Sequence, residues 1–254
     1  MGFNETKLSN WPYDCSNTHE AQQLATGKGI TVAILDHLFV KTDYSLKNRT
    51  IKPKSMLGND DSPFTSVENL GHGTWMARIL VKVAPGIKII PIKICGDGHY
   101  GDADLYINGI KYAISNGADI ISLSQEGIPK DRIEDFDQAV GEAIRKNVAI
   151  VFINYNGQNP NVIIPQPIEF ANKYSREGSV FVVGTNYFDR DSFPYTWGVS
   201  YTAPFVSGII ALIKELNPDM PPVQIKKILM QSNRNLLIEY PLVDAHQAVQ
   251  HSKN

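Results

Sequence analysis

The chain has 254 residues, with 43% hydrophobic and 20% charged side chains and a net charge of −2. That is enough chain for one large α/β domain of ordinary globular composition. The near-neutral balance, without any run of basic residues, excludes nucleic acid and acidic membrane surfaces as electrostatic partners, and no apolar run approaches the roughly 18 residues of a bilayer span.

The opening stretch, "MGFNETKLSNWPYD", is polar and has no apolar core, so no signal peptide is visible. Cys15 and Cys95 match neither a metal spacing nor a Cys-x-x-Cys pair and read as free thiols. Together these features predict a cytoplasmic protein. Short β-branched runs then alternate with helical patterns. The runs are "GITVAILD" (29–36), "IKIIPIKIC" (87–95), "ADIISLS" (118–124), "VAIVFIN" (148–154) and "SVFVVGTN" (179–186). Their apolar character is continuous rather than alternating, which predicts strands buried on both faces of a parallel sheet. Residues 37–70 are polar and predict surface loops. Helical periodicity marks 102–117, ending at Gly117, and 132–147, with further helices over 203–216, 222–232 and 243–251. The alternation predicts a doubly wound α/β fold, a mostly parallel central sheet with helices on both faces, in a single domain over 1–254.

Ligands of such sheets gather at the carboxyl ends of strands, and four features sit at such ends or at helix starts. Asp36 closes the first apolar run, where a carboxylate is costly to bury without partners. His72 stands between two glycines in "GHGTWMARILV" (71–81) and opens a helix-like run. Asn156 follows the strand "VAIVFIN" in "NYNG", where an amide N–H can face a developing oxyanion or merely build a turn. Ser200 lies in "WGVSYTAPFVSGIIALI", where chain becomes helix, and is either a cap or a nucleophile beside a positive helix end. Taken singly, each has a structural explanation. As a set they meet the needs of acyl transfer: a serine hydroxyl, a base to take its proton, and a carboxylate to hold that base.

With these three stretches, "ITVAILD", "GHGTWMA" and "GVSYTAPFVSG", the sequence resembles the subtilisin-like serine proteases (subtilases), whose chain order Asp…His…Ser it shares. The similarity runs from about residue 20 to 250. The resemblance implies Asp36 as orienter, His72 as general base, Ser200 as nucleophile and Asn156 as oxyanion donor. It also implies a peptide cleft between Gly98, Tyr100 and Gly101 on one edge and Ser124, Gln125 and Glu126 on the other, with Tyr155 across the first specificity pocket from Glu126. The implied partner is a peptide or protein substrate, with no organic cofactor and no metal ligand set; the family's calcium loop after the histidine has no room here, and no pro-domain pattern is visible. Departures include His37 and Leu38 after Asp36, Trp75 at the motif's second histidine, and Val199, Tyr201 and Thr202 around the serine. Glu126 and Tyr155 stand where the family has glycine and predict a narrowed first specificity pocket.

Two other readings compete. "GDGHYG" (96–101) fits the Gly-x-Gly-x-x-Gly pattern of a dinucleotide loop, but Asp102 and Asp104 open the following helix and repel a pyrophosphate. The unusual flanks also suit a subtilase fold kept for binding peptides rather than cutting them.

Overall fold

The computed structural model describes residues 11–58, 62–66, 71–96, 102–167, 178–182, 199–234 and 241–253. Two short helices, α1 (Trp11–Cys15) and α2 (Thr18–Gln22), precede strand β1 (Thr31–Asp36). The polar stretch that follows holds three two-residue strands, β2 (Phe39–Val40), β3 (Lys54–Ser55) and β4 (Phe64–Thr65). Next come α3 (His72–Val83), β5 (Lys88–Lys93), α4 (Ala103–Ser115), β6 (Ile120–Leu123), α5 (Ile133–Arg145) and β7 (Ala149–Phe152). Strands β8 (Ile164–Pro167) and β9 (Ser179–Val182) lead to α6 (Thr202–Leu216), α7 (Pro222–Gln231), β10 (Asn233–Arg234), β11 (Leu242–Val243) and α8 (Ala245–His251).

All five strands predicted from β-branched runs are present, the last of them described through Val182. They split between two sheets. Four join β3 in the order β3-β5-β1-β6-β7, every pair parallel. The fifth, β9, belongs to a second sheet ordered β10-β11-β9-β8. An isolated parallel bridge, Val151 with Ile163, joins the two sheets at their facing edges. Strand β8 escaped the sequence reading because "IPQP" carries two prolines, which read as breakers. They stand two residues apart, so both missing N–H groups belong to the same side of the strand.

Register sets the geometry of everything at the strand ends. Leu35 pairs with Leu123, and Leu123 with Phe152, so β1, β6 and β7 end level with one another. Helices at 72–83, 103–115, 133–145, 202–216, 222–231 and 245–251 match the predicted positions within two or three residues. The apolar side chains from Tyr13 to Val249 form one contiguous core cluster.

Helix α6 is the axis of that core: every residue from Thr202 to Lys214 is buried. Such a helix needs close neighbours and satisfied ends. At Gly208 a Cβ would stand 2.6 Å from Val83 Cβ, so the missing side chain lets α6 lie directly against α3. At the other end, the buried Lys214 ammonium donates to the Asn147 carbonyl (3.0 Å). The Glu215 carboxylate accepts from the backbone N–H groups of Thr26 and Gly27, both at 2.6 Å. Helix α3 is fixed by Arg78, whose guanidinium bonds the buried Asp43 carboxylate twice (2.6 and 2.9 Å) and lies 4.3 Å from the Trp75 ring centre. Trp75, the departure at the motif's second histidine, is thus a platform for an ion pair.

Gly208→Val forces α3 and α6 apart. Overpacking of this kind costs about 1–3 kcal/mol, and chemical denaturation is expected to show a loss in that range. An unchanged midpoint would mean the two helices do not depend on this contact.

Candidate active site

Strand β1 ends in a carboxylate with nowhere to go but inward. Asp36 is fully buried. Its Oδ1 accepts from the His37 backbone N–H (2.7 Å) and contacts Nδ1 of His72 at 2.6 Å. His72 reaches it because Gly71 and Gly73 let the first turn of α3 pack tightly. A Cβ at Gly73 would stand 2.6 Å from the Phe39 ring, and the Thr74 hydroxyl accepts the Val40 N–H (2.7 Å). The imidazole is 30% exposed while its partner carboxylate is shielded from water. Burial alone lowers the His72 pKa, but the charge and hydrogen bond of Asp36 outweigh it and the net shift is upward. With Nδ1 committed to a carboxylate, the Nδ1–H tautomer is favoured and Nε2 is left as the basic nitrogen.

Ser200 lies partly exposed in the turn that begins α6. It is not the helix cap: Tyr201 holds that position, and no side chain caps the helix there. The turn is held instead by Thr202, whose hydroxyl donates to the Val199 carbonyl (2.7 Å), and by Ser124, whose hydroxyl donates to the Ser200 carbonyl (2.7 Å). Among the described residues, no hydrogen bond joins Ser200 to His72. Bonds of this type commonly tighten only when substrate binds.

The remaining predicted positions divide sharply. Gly98, Tyr100 and Gly101 lie outside the described residues. Asn156, expected as an oxyanion donor, spends both ends of its amide on one residue: Oδ1 accepts the Ile128 N–H (3.0 Å) and Nδ2 donates to the Ile128 carbonyl (2.7 Å). It braces the segment after β6 to the segment after β7. Asn154, two residues nearer the strand, is exposed and donates from Nδ2 to the Gln125 carbonyl (3.0 Å).

Tyr155, expected to narrow the pocket, is buried in the core instead. Its ring packs against Phe136 and Phe152, and its hydroxyl donates to Asp137 (2.5 Å) while accepting the Asn159 N–H (2.6 Å). Burial, followed by the Asp137 carboxylate, pushes the phenol pKa up. An aromatic side chain at a strand end gains more by joining the core than by standing in a cleft, and Asp137 satisfies the hydroxyl that burial would otherwise strand. The partner residues Asp137 and Ile128 carry no motif and were not legible from sequence. Glu126 is exposed, and its carbonyl accepts from Tyr106 (3.4 Å). The neighbouring Gly127 is closely packed: a Cβ there would stand 3.0 Å from the Asn154 carbonyl oxygen. Cys95 is buried, its Sγ 3.8 Å from Gln125 Oε1, and burial together with the Asp36 charge pushes its thiol up to about 12. It is an unreactive thiol at neutral pH.

Asp102 caps α4 by accepting the Asp104 N–H (3.0 Å), so that helix start already holds a carboxylate where a dinucleotide loop needs room for phosphate. Among the described residues, no cluster of three or more His, Cys, Asp or Glu side chains is placed to hold a metal ion, and no helix is long and apolar enough to cross a membrane.

A carboxylate-oriented imidazole at the strand ends of a parallel sheet, with a serine turn at the head of a buried helix, is the framework of a nucleophilic-serine hydrolase. The chain belongs to the subtilase family, the subtilisin-like serine proteases: the family profile matches residues 27–187 and 153–249. It is 28% identical over 222 residues to the major intracellular serine protease of Bacillus subtilis (strain 168), spanning 74% of this chain and 69% of that protein. An intracellular serine protease of Paenibacillus polymyxa is likewise 28% identical over 227 residues, spanning 75% and 68%. Among solved structures, the nisin leader peptidase NisP from Lactococcus lactis superposes with a TM-score of 0.76 at 16% identity, covering 98% of this chain and 94% of that one. Fervidolysin from Fervidobacterium pennivorans superposes at 0.69 with 21% identity, and there the match covers 94% of this chain but 45% of the other.

In the general-base role that the family resemblance implies for His72, a protonated imidazole cannot accept the serine proton. Activity is therefore expected to rise with pH through a midpoint above the ordinary histidine value of about 6.5, because Asp36 raises the pKa. Asp36→Asn removes the raising charge, so its residual activity should show a midpoint below that of wild type. Paired pH–rate profiles check this; coincident midpoints would contradict the role given to Asp36.

Proposed function

We propose that this chain is a serine endopeptidase of restricted range, acting through Asp36, His72 and Ser200. The observation that carries the reading is the 2.6 Å contact between the buried Asp36 carboxylate and His72. Nε2 of His72 takes the Ser200 proton as Oγ attacks the peptide carbonyl. The imidazolium, stabilised by Asp36, then gives that proton to the leaving amine, and the acyl-enzyme remains. Water enters, loses a proton to Nε2, and releases the new carboxylate as the proton returns to Ser200. No organic cofactor is required, and the single core cluster supports one catalytic domain. The two relatives named as intracellular proteases support residence in the cytoplasm.

Asn154, rather than Asn156, is our oxyanion donor. Its amide is exposed at the strand end, and moving Nδ2 from the Gln125 carbonyl to a substrate oxyanion breaks one bond, whereas Asn156 would have to give up two. Asn154→Ala is expected to lower kcat by about 10²–10³, the loss known for a subtilisin oxyanion residue, with KM nearly unchanged. Asn156→Ala should instead cost about 1–3 kcal/mol of stability, with the smaller effect on kcat. The reverse pattern would place the donor at Asn156 after all.

Restricted range rests on Glu126, an exposed carboxylate where the family's cleft has glycine. Because it is exposed, its attraction for a basic side chain is worth about 0–1 kcal/mol. Matched peptides bearing Lys, Ala or Phe before the bond should therefore be cut in favour of Lys by at most about fivefold, and Glu126→Gly should erase that preference. A Lys preference well above fivefold, or one that survives in Glu126→Gly, would contradict it.

The protease reading itself is tested with a fluorophosphonate probe. Wild type should label at Ser200 and cleave peptide, while Ser200→Ala should do neither. A folded wild-type chain that does not label would leave a peptide-binding scaffold as the better reading.

A further inference from the structure

The nucleophile is held by a turn, and turns are placed only as well as their tethers. Helix α6 sets where that turn leaves the core, and a hydrogen bond from the end of β6 ties the turn itself to the strand ends beside Asp36 and His72. The Ser124 side chain, 5% exposed, donates from Oγ to the Ser200 carbonyl at 2.7 Å. Ser124 is the residue immediately after Leu123, which pairs in register with Leu35, the residue immediately before Asp36. The orienting carboxylate and the hydroxyl that grips the nucleophile's own peptide group therefore leave the sheet from adjacent, level strand ends.

We propose that the Ser124 hydroxyl is a positioning group for catalysis rather than a group that reads the substrate: it ties the Ser200 turn to the strand beside Asp36. This deepens the protease reading and rests on it. A hydroxyl spent on a backbone carbonyl and almost shielded from water is poorly placed to recognise substrate. It is well placed to set where Ser200 Oγ stands relative to Nε2 of His72. The second tether, from Thr202 to Val199, closes the turn on itself and carries no information about the strand ends. The next residue extends the clamp: the Gln125 carbonyl receives Asn154 Nδ2, so the same strand end grips both the nucleophile turn and the proposed oxyanion donor. Misplacing a reacting group by about 1 Å costs on the order of 10²-fold in rate. Loss of a single tether displaces a turn by less than that.

Ser124→Ala removes the hydroxyl and adds no bulk. It is expected to lower kcat about tenfold and to slow fluorophosphonate acylation of Ser200 by the same factor, with KM for a matched peptide unchanged. Ser124→Thr, which keeps the hydroxyl, should recover most of the loss. Thermal unfolding of both variants guards against a trivial explanation, and should show Ser124→Thr no more stable than Ser124→Ala. Normal kcat and acylation in Ser124→Ala would overturn the proposal, as would a raised KM with kcat intact, which marks a substrate contact. Failure of rescue with both variants folded would overturn it as well. A wild-type chain that is not acylated at all would instead sink the protease reading, and the two failures are told apart by the wild-type control.

Discussion

The contact between Asp36 and His72 is the constraint around which the molecule is built. A carboxylate at zero exposure is unfavourable unless its charge is answered, and here the answer is one backbone N–H and one imidazole on the same oxygen. That arrangement needs β1 in the middle of the sheet, flanked by β5 and β6, so that its end is covered. It needs α3 to begin at His72 with glycines on both sides. It also needs α3 anchored, which the Asp43–Arg78 pair and the Trp75 platform provide. Breaking such a buried pair by removing one partner is far more damaging than never having made it.

The serine side of the site follows a different logic. Ser200 stands at the head of a helix that is buried on every face, and what fixes that helix lies far from the chemistry. Gly208 permits close approach to α3, and Lys214 and Glu215 satisfy backbone groups at the far end. A rigid rod held at one end and along its length presents its first turn in a defined place. The Ser124 bond then trims the placement. Both halves of the site thus trace back to sheet register: Asp36 through β1, and the serine turn through its neighbour β6.

Much of this was legible in the chain. Continuous β-branched runs marked the parallel strands, and the chain order and motifs of Asp36, His72 and Ser200 pointed to the chemistry we propose. What escaped was set by side-chain direction, which a linear pattern does not carry. Tyr155 and Asn156 sit at positions that face the cleft by analogy, yet Asp137 and Ile128, distant in sequence and silent in pattern, draw them away. Asn154 and Asn156 differ by two positions, and past the last paired residue, Phe152, no strand rule ranks one above the other. Strand β8 was hidden by its prolines, and the isolated bridge between the two sheets leaves no trace in composition. The two N-terminal helices are five residues each, too short for periodicity to show.

The central claim is that a buried carboxylate holds His72 in one tautomer, with the proton on Nδ1 and the lone pair on Nε2. Nitrogen-15 NMR of the imidazole reports this directly at a pH above the raised pKa, where the ring is neutral. The account predicts a protonated Nδ1 with its hydrogen-bonded proton far downfield of the backbone amides, and loss of that signal in Asp36→Ala. An imidazole protonated at Nε2, or one averaging between the two tautomers as a free side chain does, would contradict it.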